Sequence, residues 1–369
     1  MKILILNWRD VRHPRAGGAE LRLQAVYAPL VAAGHEVILY CSSFDGGSER
    51  ECIAGIEIYR QGGEVSFFFH ALKNMKHWIQ THQPDVVVED LNKLPLYTPL
   101  FYKGPLLIQM HHLWGHAVFK EAPWWVALPV WLAEQSIRWA YKHCFFTVVS
   151  PSTARELQAL GIAADQMQVI YNGADLTHYH PVAEEKKAQL VWIGRLQKYK
   201  GPIEAIQVLE LLHAEFPELE LVILGDGPYR AKVKAYAATR ALPVRLAGFV
   251  GRSKKIEVLQ RAAVHIQTSW KEGWGLSIIE ANACGCPVVA HDTAGLCDSV
   301  VDGQSGLLYR YGDIADAAAI VRRVLLNEAL SKRLARQGLE RAAEFSWARN
   351  SQEIFALLER ITQESDDAA

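Results

Sequence analysis

The stretch Val264-His265-Ile266-Gln267 … Glu272-Gly273-Trp274-Gly275-Leu276-Ser277-Ile278-Ile279-Glu280-Ala281-Asn282-Ala283-Cys284 … Val288-Val289-Ala290 reads as strand, glycine-flanked loop, helix and strand. Two short β-branched runs joined by one helical crossover are a parallel βαβ unit. Working outward, the same alternation fills the chain. Residues 189–193, 219–224 and 244–247 are expected strands on its N-terminal side. An earlier set comprises residues 2–6, 36–40, 85–88, 106–109 and 146–149, with Gly34 ending the first helix. The expectation is an α/β protein of two doubly wound Rossmann-like domains facing a cleft, with ligands at the carboxyl ends of the strands. A charged stretch at residues 178–187, with Pro181 and Glu184-Glu185-Lys186-Lys187, reads as the linker. It divides the chain into residues 1–183 and 184–345.

Composition agrees with that division. A chain of 369 residues exceeds what one core usually fills, and 50% hydrophobic with 21% charged residues describes a globular protein. A net charge of −1 offers no global basic field, so no nucleic-acid partner is expected. The six cysteines include Cys284 and Cys286, but no second Cys/His pair completes a metal site beside them. They read as small packed residues in a reducing compartment. The apolar N-terminus is too short for a signal peptide, and no apolar run is long enough to span a membrane. A cytoplasmic protein is expected.

Four loops of the second half carry ligand chemistry. Gly194-Arg195-Leu196 and Lys200-Gly201-Pro202 place two cations beside a helix start, which suits a diphosphate. An ordinary solvated pair of surface cations has the same spacing. Gly225-Asp226-Gly227-Pro228 ends a strand with glycines but is no dinucleotide fingerprint, since the third glycine is missing. Gly248-Phe249-Val250 offers backbone and an aromatic face to a base, or is a plain turn. In the fourth, Gly273, Trp274, Gly275 and Leu276 supply amides at a helix start, and Glu272 and Glu280 flank them with carboxylates able to accept sugar hydroxyls. Ser277-Ile278-Ile279-Glu280 also fits a capping box, which would make Glu280 a helix cap. The residues alone leave those two readings even.

Glu272 and Glu280, with seven residues between them, resemble the E-x7-E segment of glycosyltransferase family four. So do the G-R-L…K-G of residues 194–201, the G-D-G-P of 225–228, the Y-N-G-A-D of 171–175 and the A-G-G-A-E of 16–20. The resemblance covers essentially the whole chain and implies a retaining transferase of GT-B architecture. It implies that Arg195 and Lys200 bind the donor diphosphate, Glu272 the hydroxyls of the transferred sugar, and Glu280 the ribose. Gly17 and Gly18 would line the cleft opposite the diphosphate. His111, the first of His111-His112 after the strand of residues 106–109, would face the transferred sugar. Trp274 departs from the commoner phenylalanine, and its indole is expected to narrow the sugar pocket. The family's C-terminal helix returns to the first domain, so residues 346–369 are assigned there.

Two first-half features follow. Glu89-Asp90 sits after the strand of residues 85–88, and Asp90 is the candidate for polarising the acceptor hydroxyl, or else caps a turn. Trp114, Trp124, Trp125, Trp131 and Trp139 crowd residues 114–146 with Lys120, Arg138 and Lys142. That segment is a candidate for peripheral contact at the inner face of the membrane, reaching a lipid-linked acceptor. Packing as a helical pair on the sheet is the competing reading, because Glu121 and Glu134 interrupt the basic character.

The function expected is transfer of a hexose-type sugar from a nucleotide-diphosphate sugar to a glycan or lipid-linked acceptor, forming an α-glycosidic bond. No D-x-D sequence is present, so no cofactor and no metal are expected. A sugar-nucleotide epimerase on the same architecture would convert donor without acceptor. A non-catalytic nucleotide-sugar-binding protein would bind without turnover. A nicotinamide oxidoreductase is disfavoured because no G-x-G-x-x-G follows the first strand.

Overall fold

The computed structural model describes residues 1–91, 94–182 and 185–367. The chain divides into two compact units, Met1–Asn172 with Trp347–Ala369, and Gly173–Ser346. In the first unit the order is β1 (Lys2–Leu6), α1 (Gly18–Ala32), β2 (Glu36–Cys41), β3 (Arg50–Ile53), β4 (Ile56–Arg60), α2 (Phe67–His82), β5 (Val86–Leu91), β6 (Leu106–Met110), α3 (Val118–Glu121), α4 (Trp124–Gln135), α5 (Ile137–Ala140), β7 (Phe145–Val148), α6 (Pro151–Ala159) and β8 (Met167–Val169). The second unit has β9 (Lys187–Ile193), α7 (Pro202–Leu212), β10 (Glu220–Leu224), α8 (Arg230–Ala238), β11 (Val244–Gly248), α9 (Arg252–Arg261), β12 (Ala262–Gln267), α10 (Leu276–Ala283), β13 (Val288–His291), α11 (Leu296–Ser299), β14 (Leu307–Tyr309), α12 (Ile314–Leu326) and α13 (Glu328–Ala342). A final helix, α14 (Trp347–Asp367), belongs to the first unit.

Sheet order is β3-β4-β2-β1-β5-β6-β7-β8 in the first unit and β11-β10-β9-β12-β13-β14 in the second. Among the described strands, only the β3–β4 pairing is antiparallel. Each central strand is covered on both faces, which is why it reads as an unbroken apolar run rather than an alternation. In β1, Ile3 and Ile5 pack with Leu23, Val26 and Tyr27 of α1. Leu4 and Leu6 turn to the opposite layer, against Phe67, Ala71, Met75 and Trp78 of α2. In the second unit, Leu190 and Trp192 of β9 pack with Ala205, Ile206 and Leu209 of α7.

α14 carries Ile354, Leu357, Leu358 and Ile361 at helical spacing, and all four are buried beside α1 and β1. Each such side chain contributes roughly 2 kcal/mol on burial, which holds the helix to the first unit.

The boundary between units falls after Asn172, earlier than the expected 183/184; Ala183 and Glu184 themselves lie outside the described residues. Much of the segment read as a linker is bound within the second unit. The Tyr179 hydroxyl donates to Glu280 (2.8 Å), Gln260 Nε2 donates to His180 O (2.7 Å), and Lys186 Nζ donates to Gln260 O (2.8 Å).

A second difference is β5, which runs on to Leu91 and takes Glu89 and Asp90 into the sheet. Glu89 is fully buried and accepts from the Leu96 amide (2.7 Å) and the Tyr141 hydroxyl (2.8 Å). Burial pushes its carboxyl above the ordinary range. The short strands β3, β8 and β14 carry no strong pattern of their own and are set by pairing with a neighbour, whereas β4 alternates, with Ile56 and Ile58 buried.

Candidate functional site

In the second unit the four loops lie at the carboxyl ends of β9, β10, β11 and β12, which are neighbours in the sheet order. The β9–α7 and β12–α10 loops are tied together. Trp192 Nε1 donates to Thr268 Oγ1 (3.0 Å), whose hydroxyl donates to Gly201 O (2.6 Å), and the Trp270 amide donates to Tyr199 O (3.0 Å). Lys200 is thereby brought to Glu272, with Nζ 2.5 Å from Oε1. Gln267 Nε2 supports the same oxygen at 3.2 Å. Burial alone would lower the Lys200 pKa; the Glu272 carboxylate outweighs it, and the net shift is upward. Arg195, two residues past the end of β9, is exposed to solvent.

Gly225 and Gly227 answer to packing. A Cβ on Gly225, where φ is +139°, would lie 1.9 Å from Gly194 O, and one on Gly227 would lie 2.5 Å from Leu196 O. The Gly225–Gly227 loop thus presses directly on the loop that carries Arg195, and the Leu196 amide donates to Asp226 O (2.9 Å). At the end of β11, Phe249 is 86% exposed, with Val250 beside it.

α10 begins at Leu276, and its N-cap is Gly275 in the left-handed conformation. Glu280 is therefore in the second turn and caps nothing, which removes the capping-box reading of Ser277–Glu280. Its Oε1 accepts instead from Tyr179 Oη (2.8 Å) and Lys255 Nζ (2.6 Å). Among the described residues, the amides of Gly273 and Gly275 donate no hydrogen bond to protein. They stand free at a helix start, where the dipole favours anions. Trp274 differs from expectation. Its indole is buried and packs edge-to-face on Phe345, with centroids 5.0 Å apart, so the ring belongs to the core of this unit.

Tyr179, Lys255 and Gln267 are the residues that the sequence did not single out. Lys255 follows Lys254 in α9, and only folding shows that Lys254 turns to Glu257 while Lys255 turns to Glu280.

In the first unit the β1–α1 loop ends at Gly17, the N-cap of α1, and Gly18 is the first helical residue. The Gly17 amide donates to the Glu20 carboxylate (2.6 Å). His111 follows β6, and its Nε2 lies 2.9 Å from Asp90 Oδ1. Asp90 is 1% exposed, and its other oxygen accepts from Gln109 Nε2 (3.2 Å). That burial corrects the expectation for Asp90. Its carboxylate is turned into the protein toward His111 and Gln109, where no acceptor hydroxyl can reach it.

The tryptophan-rich segment is open to solvent. Of α4 only Ala127 and Glu134 are buried, while Trp124, Trp125, Leu128 and Leu132 are exposed, as is Trp139 on α5. Glu134, one of the two acids that spoiled the basic reading, is turned inward and accepts from the amides of Trp114 (2.7 Å) and Gly115 (2.8 Å). Lys120, Arg138 and Lys142 are exposed. No described helix is long and apolar enough to cross a membrane. Among the described residues, no group of three or more His, Cys, Asp or Glu is arranged to hold a metal ion.

Comparison with known proteins places these two halves. Residues 16–178 match the family described as Glycosyltransferase Family 4, and residues 178–341 match Glycosyl transferases group 1. Glycogen synthase of Mycobacterium tuberculosis is 32% identical over 52% of this chain, which spans about half (47%) of that relative. D-inositol 3-phosphate glycosyltransferase of Mycolicibacterium smegmatis is 26% identical over 83% of this chain and 84% of its own length. In structure, sucrose-phosphate synthase of Thermosynechococcus elongatus superposes with a TM-score of 0.84 at 21% identity, covering 99% of this chain and 100% of that one. HepE of Anabaena, solved in complex with UDP-glucose, gives 0.78 at 19% identity, covering 98% and 100%. Both neighbours share the fold of two parallel α/β domains. The chain belongs to glycosyltransferase family four, with the two-domain GT-B architecture.

Proposed function

We propose that this protein is a retaining hexosyltransferase that takes a nucleotide-diphosphate sugar on the loops of its second unit. The observation that carries the reading is the pairing of Lys200 with Glu272 and of Lys255 with Glu280. Each carboxylate is held by a lysine. A donor can replace those partners, its diphosphate meeting Lys200, exposed Arg195 and the free amides of Gly273 and Gly275. Its sugar hydroxyls would be held by Glu272 and its ribose by Glu280. Phe249 and Val250 lie where a base can stack, and Gly225 and Gly227 shape the floor beneath Arg195. Leaving-group charge is then met by fixed cations and amides, so transfer proceeds without a metal. Front-face attack gives an α-linked product from an α-linked donor.

In the first unit, His111 is the proposed sugar-facing group and the loop of Gly17 and Gly18 is on the same carboxyl side of the sheet. The acceptor is a glycan or a lipid-linked sugar. The Trp124, Trp125 and Leu128 face of α4, with Lys120, Arg138 and Lys142 nearby, supports peripheral contact with an anionic membrane from the cytoplasmic side. Thermal-shift screening against GDP-, UDP- and ADP-sugars tests the donor assignment, since a bound ligand raises the melting temperature. A panel without any shift refutes it. A β-linked product would sink the retaining assignment, and loss of activity in EDTA the metal-free one.

A further inference from the structure

His291, the last residue of β13, is buried, and its ring is bonded at both nitrogens. The Gly312 amide donates to Nε2 (2.9 Å), and Nδ1 lies 3.1 Å from Ser269 O. A backbone N–H only donates and a carbonyl only accepts, so Nε2 is bare and Nδ1 carries the proton. Burial favours that neutral ring and holds its pKa below the ordinary range; the Ser269 carbonyl and the Asp292 charge offset part of the shift. Tyr309 and Tyr311 stack on the imidazole, with centroids 4.9 and 4.7 Å away, and fix its plane. The rest of β13 is Val288, Val289 and Ala290, so another apolar residue would serve packing alone.

The two groups that His291 joins belong to different loops. Ser269 is in the β12–α10 loop that carries Glu272, and Gly312 is in the β14–α12 loop. From Ser269 a short path leads to the carboxylate: Gln267 Nε2 donates to Ser269 Oγ (3.1 Å) and to Glu272 Oε1 (3.2 Å). The residues after His291 hold the same loop at two further points. Thr293 Oγ1 donates to Trp270 O (3.2 Å), and a Cβ on Gly295 would lie 2.4 Å from Glu272 O. The loop that presents Glu272 thus rests along the β13–α11 loop, and His291 anchors it at the Ser269 end.

We propose that His291 is a positioning residue for sugar transfer: with its proton on Nδ1 it ties the Ser269 carbonyl to the Gly312 amide, and so fixes the loop on which Glu272 meets the transferred sugar. The inference rests on the reading of Glu272 as the sugar-holding group, and its first test needs no ligand.

Two variants separate the halves of the clamp. Asparagine places a donor near Nδ1 and nothing at Nε2, whereas glutamine places an acceptor near Nε2 and nothing at Nδ1. Hydrogen exchange is followed by mass spectrometry without ligand. His291→Gln should raise exchange in residues 269–276 and leave 310–313 protected, and His291→Asn should do the reverse. The same change in both variants, or no change at 269–276 in His291→Gln, overturns the clamp. Calorimetry then uses whichever of UDP-glucose, GDP-mannose and ADP-glucose raises the melting temperature most, beside its parent nucleoside diphosphate. His291→Gln should weaken the sugar nucleotide about tenfold, the size of one hydrogen bond to a charged group. It should weaken the parent diphosphate less than about threefold, because Lys200 and Arg195 lie on another loop. His291→Asn should stay within about threefold of wild type for both. Equal weakening of the two ligands by His291→Gln overturns the link to the sugar. If no sugar nucleotide binds the wild type, the donor reading fails, and the exchange result still decides the clamp.

Discussion

Glu272→Ala should destabilise the second unit as well as impair transfer, because the change strands Lys200. Exposed ion pairs contribute at most about 1 kcal/mol, whereas breaking a buried pair costs about 3–5 kcal/mol. The side chains of Lys200 and Glu272 remain 17% and 12% exposed, which places this pair toward the buried limit. Loss of about 2–4 kcal/mol is expected, or about 5–10 °C in melting temperature for a domain of this size. The assay is thermal denaturation of wild type, Glu272→Ala, Lys200→Met and the double variant, without ligand. Both single variants should melt early, and the double variant should regain much of the loss because no charge is left stranded. If Glu272→Ala melts within about 1 °C of wild type, or if the two losses simply add, the pair is not formed in solution. The picture of a donor displacing Lys200 from Glu272 would then fall with it.

Other expectations follow from the same geometry. His265 is buried in β12, and burial pushes its pKa down from the ordinary 6.5 to about 4. The unfolded chain therefore takes the proton first, so stability should be full above pH 6.5 and fall toward pH 4; a flat melting temperature across that window contradicts it. Gly225→Ala should cost about 3 kcal/mol or more, since its Cβ would collide with the Gly194 carbonyl at a positive φ, and a soluble variant of normal stability would refute the loop contact. Lys255→Met should weaken binding of the stabilising sugar nucleotide only modestly while Glu280→Ala weakens it strongly, as read by calorimetry; equal effects would mean that Glu280 acts only through its lysine. Trp124→Ser with Trp125→Ser should abolish flotation with vesicles of anionic lipid and leave the fold intact by circular dichroism. Flotation unchanged by the double substitution removes α4 as the membrane face.

The α/β class, the two parallel sheets and the loops that carry the chemistry are legible in the amino-acid sequence. Those features rest on local causes: β-branched runs buried on both faces, and glycines where backbone approaches backbone. Tertiary structure alone decided what the side chains do there. Glu280 could not be told from a helix cap until Gly275 proved to be the cap and Tyr179 and Lys255 the partners, which lie 101 and 25 residues away. Asp90 looked exposed at a strand end until β5 ran past it and turned its carboxylate inward to His111. Glu134 looked like a surface acid until it closed on the amides of Trp114 and Gly115 and left the tryptophans outside. The chain boundary moved for the same reason, since residues 173–179 bond to groups far along the chain. A pattern along a strand or helix fixes which way a residue faces on average; which partner a charged group meets depends on contacts between elements, and those exist only once the sheets are assembled.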